Sequence, residues 1–327
     1  MAYNQPPARY YFMGSSEGGR EALTLVTMGD AWLSPAHVKL VHDAALGSCD
    51  AEDGVADKLI ANPQSCLAKE DLASLACKTG QDAATCLNQK QIAAIKWLRS
   101  PTKWSFPLAN GISEYPGWGI SGEATPASGP TGGWMAWWTG SAAPAQPPKV
   151  GNAIQWVYGS AGMRYVFARD PNLDVTKYRP EDHKQRVLEV SDLMDATNPD
   201  LTAFQGRGGK LIILEYLADY AQSPYAGIRY FESVKQKMGK AVDAFARLYT
   251  APGVDHVGSG APANVDMLAV LVDWVENGTA PKALTVVEQS VELESTVTRS
   301  LPLCQWPMWP KYRAGDPALA SSFECTN

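Results

Sequence analysis

The chain has 327 residues, enough for one large domain or two smaller ones. A formal net charge of −6 with 19% charged residues gives no basic surface and argues against nucleic acid as a partner. The longest apolar runs, "LIIL" and "MLAVLV", are far too short to span a bilayer, so no membrane is expected as a partner either.

In chain order, "YYFM" reads as a strand and "GGREALTLVTMGDAW" as a helix, joined by "GSSEG". This is the one place where a G-x-S-x-G frame fits, with Ser16 at its centre. A strand that turns sharply into a helix can present a serine at the tip of the turn, with the flanking glycines letting the two elements approach. The competing reading is an ordinary glycine turn. "SPAHVKLVHDAAL" is expected to be helical, with Pro35 near its start. "KEDLASLAC" and "NQKQIAAIKWL" carry apolar residues at helical spacing. From about 101 to 160 the Gly- and Pro-rich, strongly aromatic sequence predicts irregular packed structure. Seven of the eleven tryptophans (Trp97, Trp104, Trp118, Trp134, Trp137, Trp138, Trp156) fall within one 60-residue region that takes in most of it. They suit a pocket for a flat ring or simply a core of their own.

From about 190 an α/β rhythm returns. "GGKLIILEY" reads as a buried strand, "PYAGIRYFESVKQKMG" as a helix, "FARLYTAPG" as a strand and "NVDMLAVLVDWVENG" as a helix closed by Gly278. The organisation expected is an α/β core, residues 1–36 and 190–327, interrupted by an aromatic-rich insertion over 37–189.

A serine needs a base, and the base an orienting acid. Of the four histidines, His37, His42 and His183 sit among polar neighbours. His256 follows a strand in the glycine-rich loop "PGVDHVGSG", where α/β proteins place reacting groups. Asp219, just past "LIILEY", fits the order serine, acid, histidine; Glu215 competes with it, and Asp255 is a poor orienter for the adjacent histidine. The six cysteines fall in three local clusters without CxxC spacing, which favours disulfides over zinc and an oxidising compartment, secreted or periplasmic; the alternative is six reduced core thiols.

The stretches "YYFMGSSEGGREAL", "CDAEDGVAD", "DATNPDLTAFQGRGGKLIIL", "RLYTAPGVDHVGSG" and "LVDWVENGTAPKAL" resemble the tannase and feruloyl esterase family over essentially the whole chain. The resemblance implies an α/β-hydrolase core with a large inserted lid, and hydrolysis of feruloyl, galloyl or terephthaloyl esters by a serine carboxylesterase. It implies a triad of Ser16, Asp219 and His256, with the N–H of Glu17 as an oxyanion donor. It also implies the disulfides Cys49–Cys66, Cys77–Cys86 and Cys304–Cys325. In "CDAEDGVADKL" it implies a structural calcium held by Asp50, Asp53 and Asp57 and the carbonyls of Val55 and Leu59; spacing alone favours a solvated acidic turn.

Three departures stand out. Ser15 and Val257 occupy positions where the family carries a cysteine pair, and Glu215 and Tyr216 replace a His-Gly pair. The chain also begins almost at the elbow, so it reads as truncated at its N-terminus, lacking early strands and a second oxyanion donor. A small aromatic ester is the expected partner. The rival readings are a non-catalytic binding module on the same fold and an acyltransferase.

Overall fold

The computed structural model describes residues 29–123, 133–142, 145, 147–290 and 295–327. Its first half is a helical segment. Helix α1 (Pro35–Cys49) starts where Ser34 and His37 cap each other, with Pro35 preset for the first turn. Helix α2 (Pro63–Lys69) follows an Asn62 cap, and α3 (Gln89–Arg99) begins at an Asn88–Gln91 capping box. "KEDLASLAC", expected to be helical, forms only a short 3₁₀ turn over Leu72–Leu75. The Cys77–Cys86 bridge and the pairing of Ala76 with Leu87 take the chain away from a longer helix. All three disulfides implied by the resemblance are formed.

Within the stretch 101–160, expected to be irregular, the described residues hold a few short regular elements. Strands β1 (Thr102–Lys103) and β2 (Glu114–Tyr115) pair antiparallel, and Met135–Thr139 forms a π-helical turn. Helix α4 (Ile154–Ala161) runs directly into a further π-turn, and α5 (Lys184–Met194) closes the segment. The tryptophans explain the regularity. Trp118, Trp134 and Trp138 are buried with Val38, Ile95 and Leu98 of α1 and α3 in one core, so tertiary packing overrides local propensity.

After the short α6 (Thr202–Gly206) comes the sheet, in the order β3-β4-β6-β5: β3 (Leu211–Tyr216), β4 (Ala246–Ala251), β5 (Leu284–Gln289) and β6 (Val297–Gln305). Strands β3 and β4 are parallel, linked by α7 (Pro224–Met238); β4–β6 and β6–β5 are antiparallel. Helix α8 (Met267–Asn277) ends at Gly278 in the left-handed region, as a C-cap glycine requires. Strands β7 (Trp309–Tyr312) and β8 (Phe323–Thr326) form a hairpin tied to β6 by Cys304–Cys325. One expectation is corrected: β3 is a strand but not a buried one. Each of its six residues is only half-buried, whereas β4 is buried almost throughout. Among the described strands β4 has neighbours on both sides and β3 on one.

The Cys49–Cys66 bridge spans a separation of 17 residues around the acidic loop. Replacing both cysteines with alanine is expected to lower the unfolding free energy by about 3 kcal/mol. Urea unfolding without reductant measures this; an unchanged midpoint would mean that other contacts hold the loop.

Candidate active site

Because β3 and β4 are parallel and in register, with Tyr216 beside Ala251, the loops that follow them leave the same end of the sheet. The N–H of Leu217 donates to Ala251 O at 3.0 Å, and that of Ala218 to Val254 O at 3.0 Å, so the two loops are stitched together. The residues they carry meet: His256 Nδ1 lies 2.9 Å from Asp219 Oδ2. The other carboxylate oxygen of Asp219 accepts the N–H groups of Ala221 (2.7 Å) and Gln222 (2.9 Å), so the acid is fastened within its own turn. The hydrogen bond from Asp219 raises the His256 pKa; burial works against it, and the charges of Asp219 and Asp255 add to it. With Nδ1 committed to the carboxylate, Nε2 is the nitrogen that faces base work.

Asp255 does not orient the histidine next to it. Fully buried, it turns inward, and its Oδ1 accepts the N–H groups of Val257 (3.0 Å) and Ser259 (2.8 Å). It closes the His256 loop on itself. Glu215, the other competitor, points into the packing of α7: a methyl on Gly227 would overlap its Oε1. None of the described hydrogen bonds reaches this carboxyl. Burial, helped by the Asp219 charge, pushes its pKa up to about 8, so it is held as the neutral acid.

An aromatic wall stands against His256. The Trp137 ring lies 5.5 Å from His256 in edge-on geometry, and Tyr220 lies 6.2 Å away. Trp137 also packs against Tyr158 at 6.4 Å, and Tyr158 is more than half exposed. Nothing in the sequence separates Trp137 from its neighbour Trp138. Consecutive residues of a helical turn point in different directions, so the Trp138 ring enters the core while Trp137 faces His256.

The other expected residues fall elsewhere. Ser16, Ser15 and Glu17 lie outside the described residues. Asp50, Asp53 and Asp57 share one loop. There Asp50 Oδ1 accepts the N–H groups of Asp57 and Leu59, Asp53 Oδ1 that of Val55, and Asp57 Oδ1 that of Leu59. Arg299, on β6, pairs with the remaining oxygen of Asp57. Asp53 is only 2% exposed, and its Oδ2 is buried without a hydrogen-bond partner. Burial, together with the charges of Asp57 and Asp50, pushes its pKa up to about 6. Among the described residues, no group of three or more His, Cys, Asp or Glu side chains is gathered as a metal site.

The family profile described as "Tannase and feruloyl esterase" matches residues 24–326. An uncharacterized esterase of Agrobacterium fabrum is 33% identical over 374 aligned residues, covering 99% of this chain and 65% of the relative. Mono(2-hydroxyethyl) terephthalate hydrolase of Piscinibacter sakaiensis is 30% identical over 396, covering 99% and 64%. The solved structure of feruloyl esterase B from Aspergillus oryzae matches with a TM-score of 0.75 at 22% identity, over 93% of this chain and 59% of that one. The mixed α/β fold is therefore that of the feruloyl esterases, and this chain spans less than two thirds of each of these proteins.

Glu215 makes stability depend on pH in a stated direction. Its folded pKa lies above the ordinary 4.5, so its contribution is complete below about pH 4.5 and declines as pH rises toward about 8, where it levels off. Glu215→Gln, which never ionises, is expected to match the wild type near pH ~4 and to exceed it by about 1–3 kcal/mol near pH ~8. Chemical denaturation at the two pH values reads this directly, and a pH-independent difference would refute it.

Proposed function

Since the chain belongs to the tannase and feruloyl esterase family, we propose that it is a serine carboxylesterase acting on esters of aromatic acids. The observation that carries this reading is the 2.9 Å hydrogen bond between Asp219 and His256, beside an aromatic wall. Ser16 attacks the ester carbonyl, and its proton passes to His256 Nε2. Asp219 holds the tautomer that leaves Nε2 as acceptor and stabilises the imidazolium that forms. The N–H of Glu17 binds the developing oxyanion. His256 then gives its proton to the leaving alcohol, and water releases the acid by the same steps in reverse.

The helical segment serves as lid in this reading, with Trp137 and Tyr158 offering flat apolar faces to the acyl ring. The names of relatives, a feruloyl esterase B and a mono(2-hydroxyethyl) terephthalate hydrolase, support an aromatic acid as the acyl group. Three disulfides support a secreted or periplasmic setting. No described helix is long and apolar enough to cross a membrane.

A structural calcium fits the acidic loop on one observation, the buried and unpartnered Oδ2 of Asp53. The carboxylates of Asp50, Asp53 and Asp57 in the same loop also supply hard oxygen donors. Asp50, Asp53 and Asp57, with the carbonyls of Val55 and Leu59, would hold it. It would neutralise their mutual repulsion and stiffen the loop, with no part in the ester chemistry.

A fluorophosphonate probe followed by peptide mapping tests the esterase reading. Labelling is expected at Ser16, lost in Ser16→Ala and retained in Ser15→Ala. An unlabelled, folded protein would instead point to a binding module. For the calcium, chelation is expected to lower the melting temperature more than the initial rate; an unchanged melting curve would leave the loop metal-free.

A further inference from the structure

Asp219 does not hold its position by itself. Its Oδ1 is bonded to the N–H groups of Ala221 and Gln222, so the carboxylate follows whatever path the turn 219–222 takes. The carbonyls of that turn are gripped from outside by the helical segment. Trp138 Nε1–H donates to Tyr220 O at 2.7 Å, and Gln155 Nε2–H donates to Ala221 O at 3.0 Å. One residue further on, Ser223 Oγ–H donates to Gly117 O at 2.7 Å, while its N–H donates to Tyr115 Oη at 3.0 Å. Trp138 and Gln155 are 4% and 2% exposed, so water does not compete for these carbonyls. The backbones touch as well: a Cβ on Gly122 would sit 2.8 Å from Ala218 O.

The gripping side is itself rigid. The buried Arg99 donates to Gly119 O and to Glu123 Oε1, each at 2.5 Å, and to Glu70 at 3.0 Å. Burial alone would raise Glu123, but Arg99 and His42 pull it down to about 2, so this is a fully charged knot.

We propose that Trp138 and Gln155 are positioning residues of the triad, whose side-chain N–H groups fix the Tyr220 and Ala221 carbonyls and so aim the Asp219 carboxylate at His256. The proposal rests on the reading of Asp219 and His256 as a catalytic pair. Trp138 belongs to the core and Gln155 is enclosed in α4, so neither needs to touch substrate. A misplacement of about 1 Å in such a constellation costs on the order of a hundredfold in rate.

Trp138→Phe keeps an aromatic ring against Trp118, which it meets edge-on at 4.4 Å, but removes the donor. Gln155→Met keeps the length and removes the other donor. The first readout needs no substrate: the His256 ring is followed by NMR against pH in the whole protein. The titratable groups facing it are Asp219 and Asp255, with Glu215 behind Asp219. In the variants the His256 titration is expected to move down toward that of an ordinary imidazole, with faster exchange of the Nδ1 proton. The second readout is kinetic: kcat is expected to fall roughly tenfold or more while KM changes less than about twofold.

The variants act on neighbouring carbonyls from different elements, so one that folds is enough. An unchanged His256 titration in a folded variant overturns the proposal, as does a rise in KM with kcat preserved. Absence of ester turnover in the wild type would defeat the esterase reading and leave the NMR test of positioning intact.

Discussion

The hydrogen bond between Asp219 and His256 depends on a register. Strands β3 and β4 are parallel and matched from Leu211–Ala246 to Tyr216–Ala251, so the acid and the base emerge side by side. A shift of one residue would turn every side chain of β3 to its opposite face. The apolar residues on both sides of β4 then fix where the pair sits, because Leu248 and Tyr249 leave no room for slippage. What the loops add is local. The acid turn uses its own carboxylate to fold on itself, and the base loop uses Asp255 for the same purpose. Asp219 and His256 are thus each carried on a turn closed by a carboxylate, and the bond between their side chains is what the strands bring into line.

Much of this can be read from the chain because it is coded locally. His256 stands apart from the other histidines by following a strand in a glycine-rich loop, and Asp219 by its place after "LIILEY". The cysteine pairs are close in sequence, so their bridges follow from proximity and the family resemblance. What escapes sequence reading is what distant residues decide. Helix α4 and the π-turn at Trp137 sit in a Gly- and Pro-rich stretch whose propensity is poor, and they form because tryptophans need a core to enter. The half-exposure of β3 is a matter of neighbours, which a run of Leu and Ile does not reveal. The hold on the acid turn by Trp138 and Gln155 joins residues 82 and 66 positions apart and leaves no local trace.

Carboxylates are sheltered in three different ways, with Glu123 and Asp255 fully buried and Glu215 half-buried, and the differences follow from what each side chain faces. Glu123 is charged because Arg99 lies against it. At Asp255 two backbone N–H groups meet Oδ1. Glu215 has neither, and Gly227 opens only enough space for the bare carboxyl, so it stays protonated. Burying an ion is costly unless it is paired or fully hydrogen-bonded.

In the proposed triad this contrast bears on Asp219, which has to remain an anion to stabilise a protonated His256. A charged Glu215 behind it would oppose that anion, since like charges in a shared site raise each other's pKa. The packing that keeps Glu215 neutral therefore keeps a second carboxylate charge away from the pair. The knot of Arg99, Glu70 and Glu123 sets one guanidinium against two carboxylates. It contributes rigidity to the strip around Gly119 without adding a net cation beside the acid. Both His256 and Glu215 respond to the charge of Asp219, and the turn that carries it is held by neutral donors from Trp138 and Gln155.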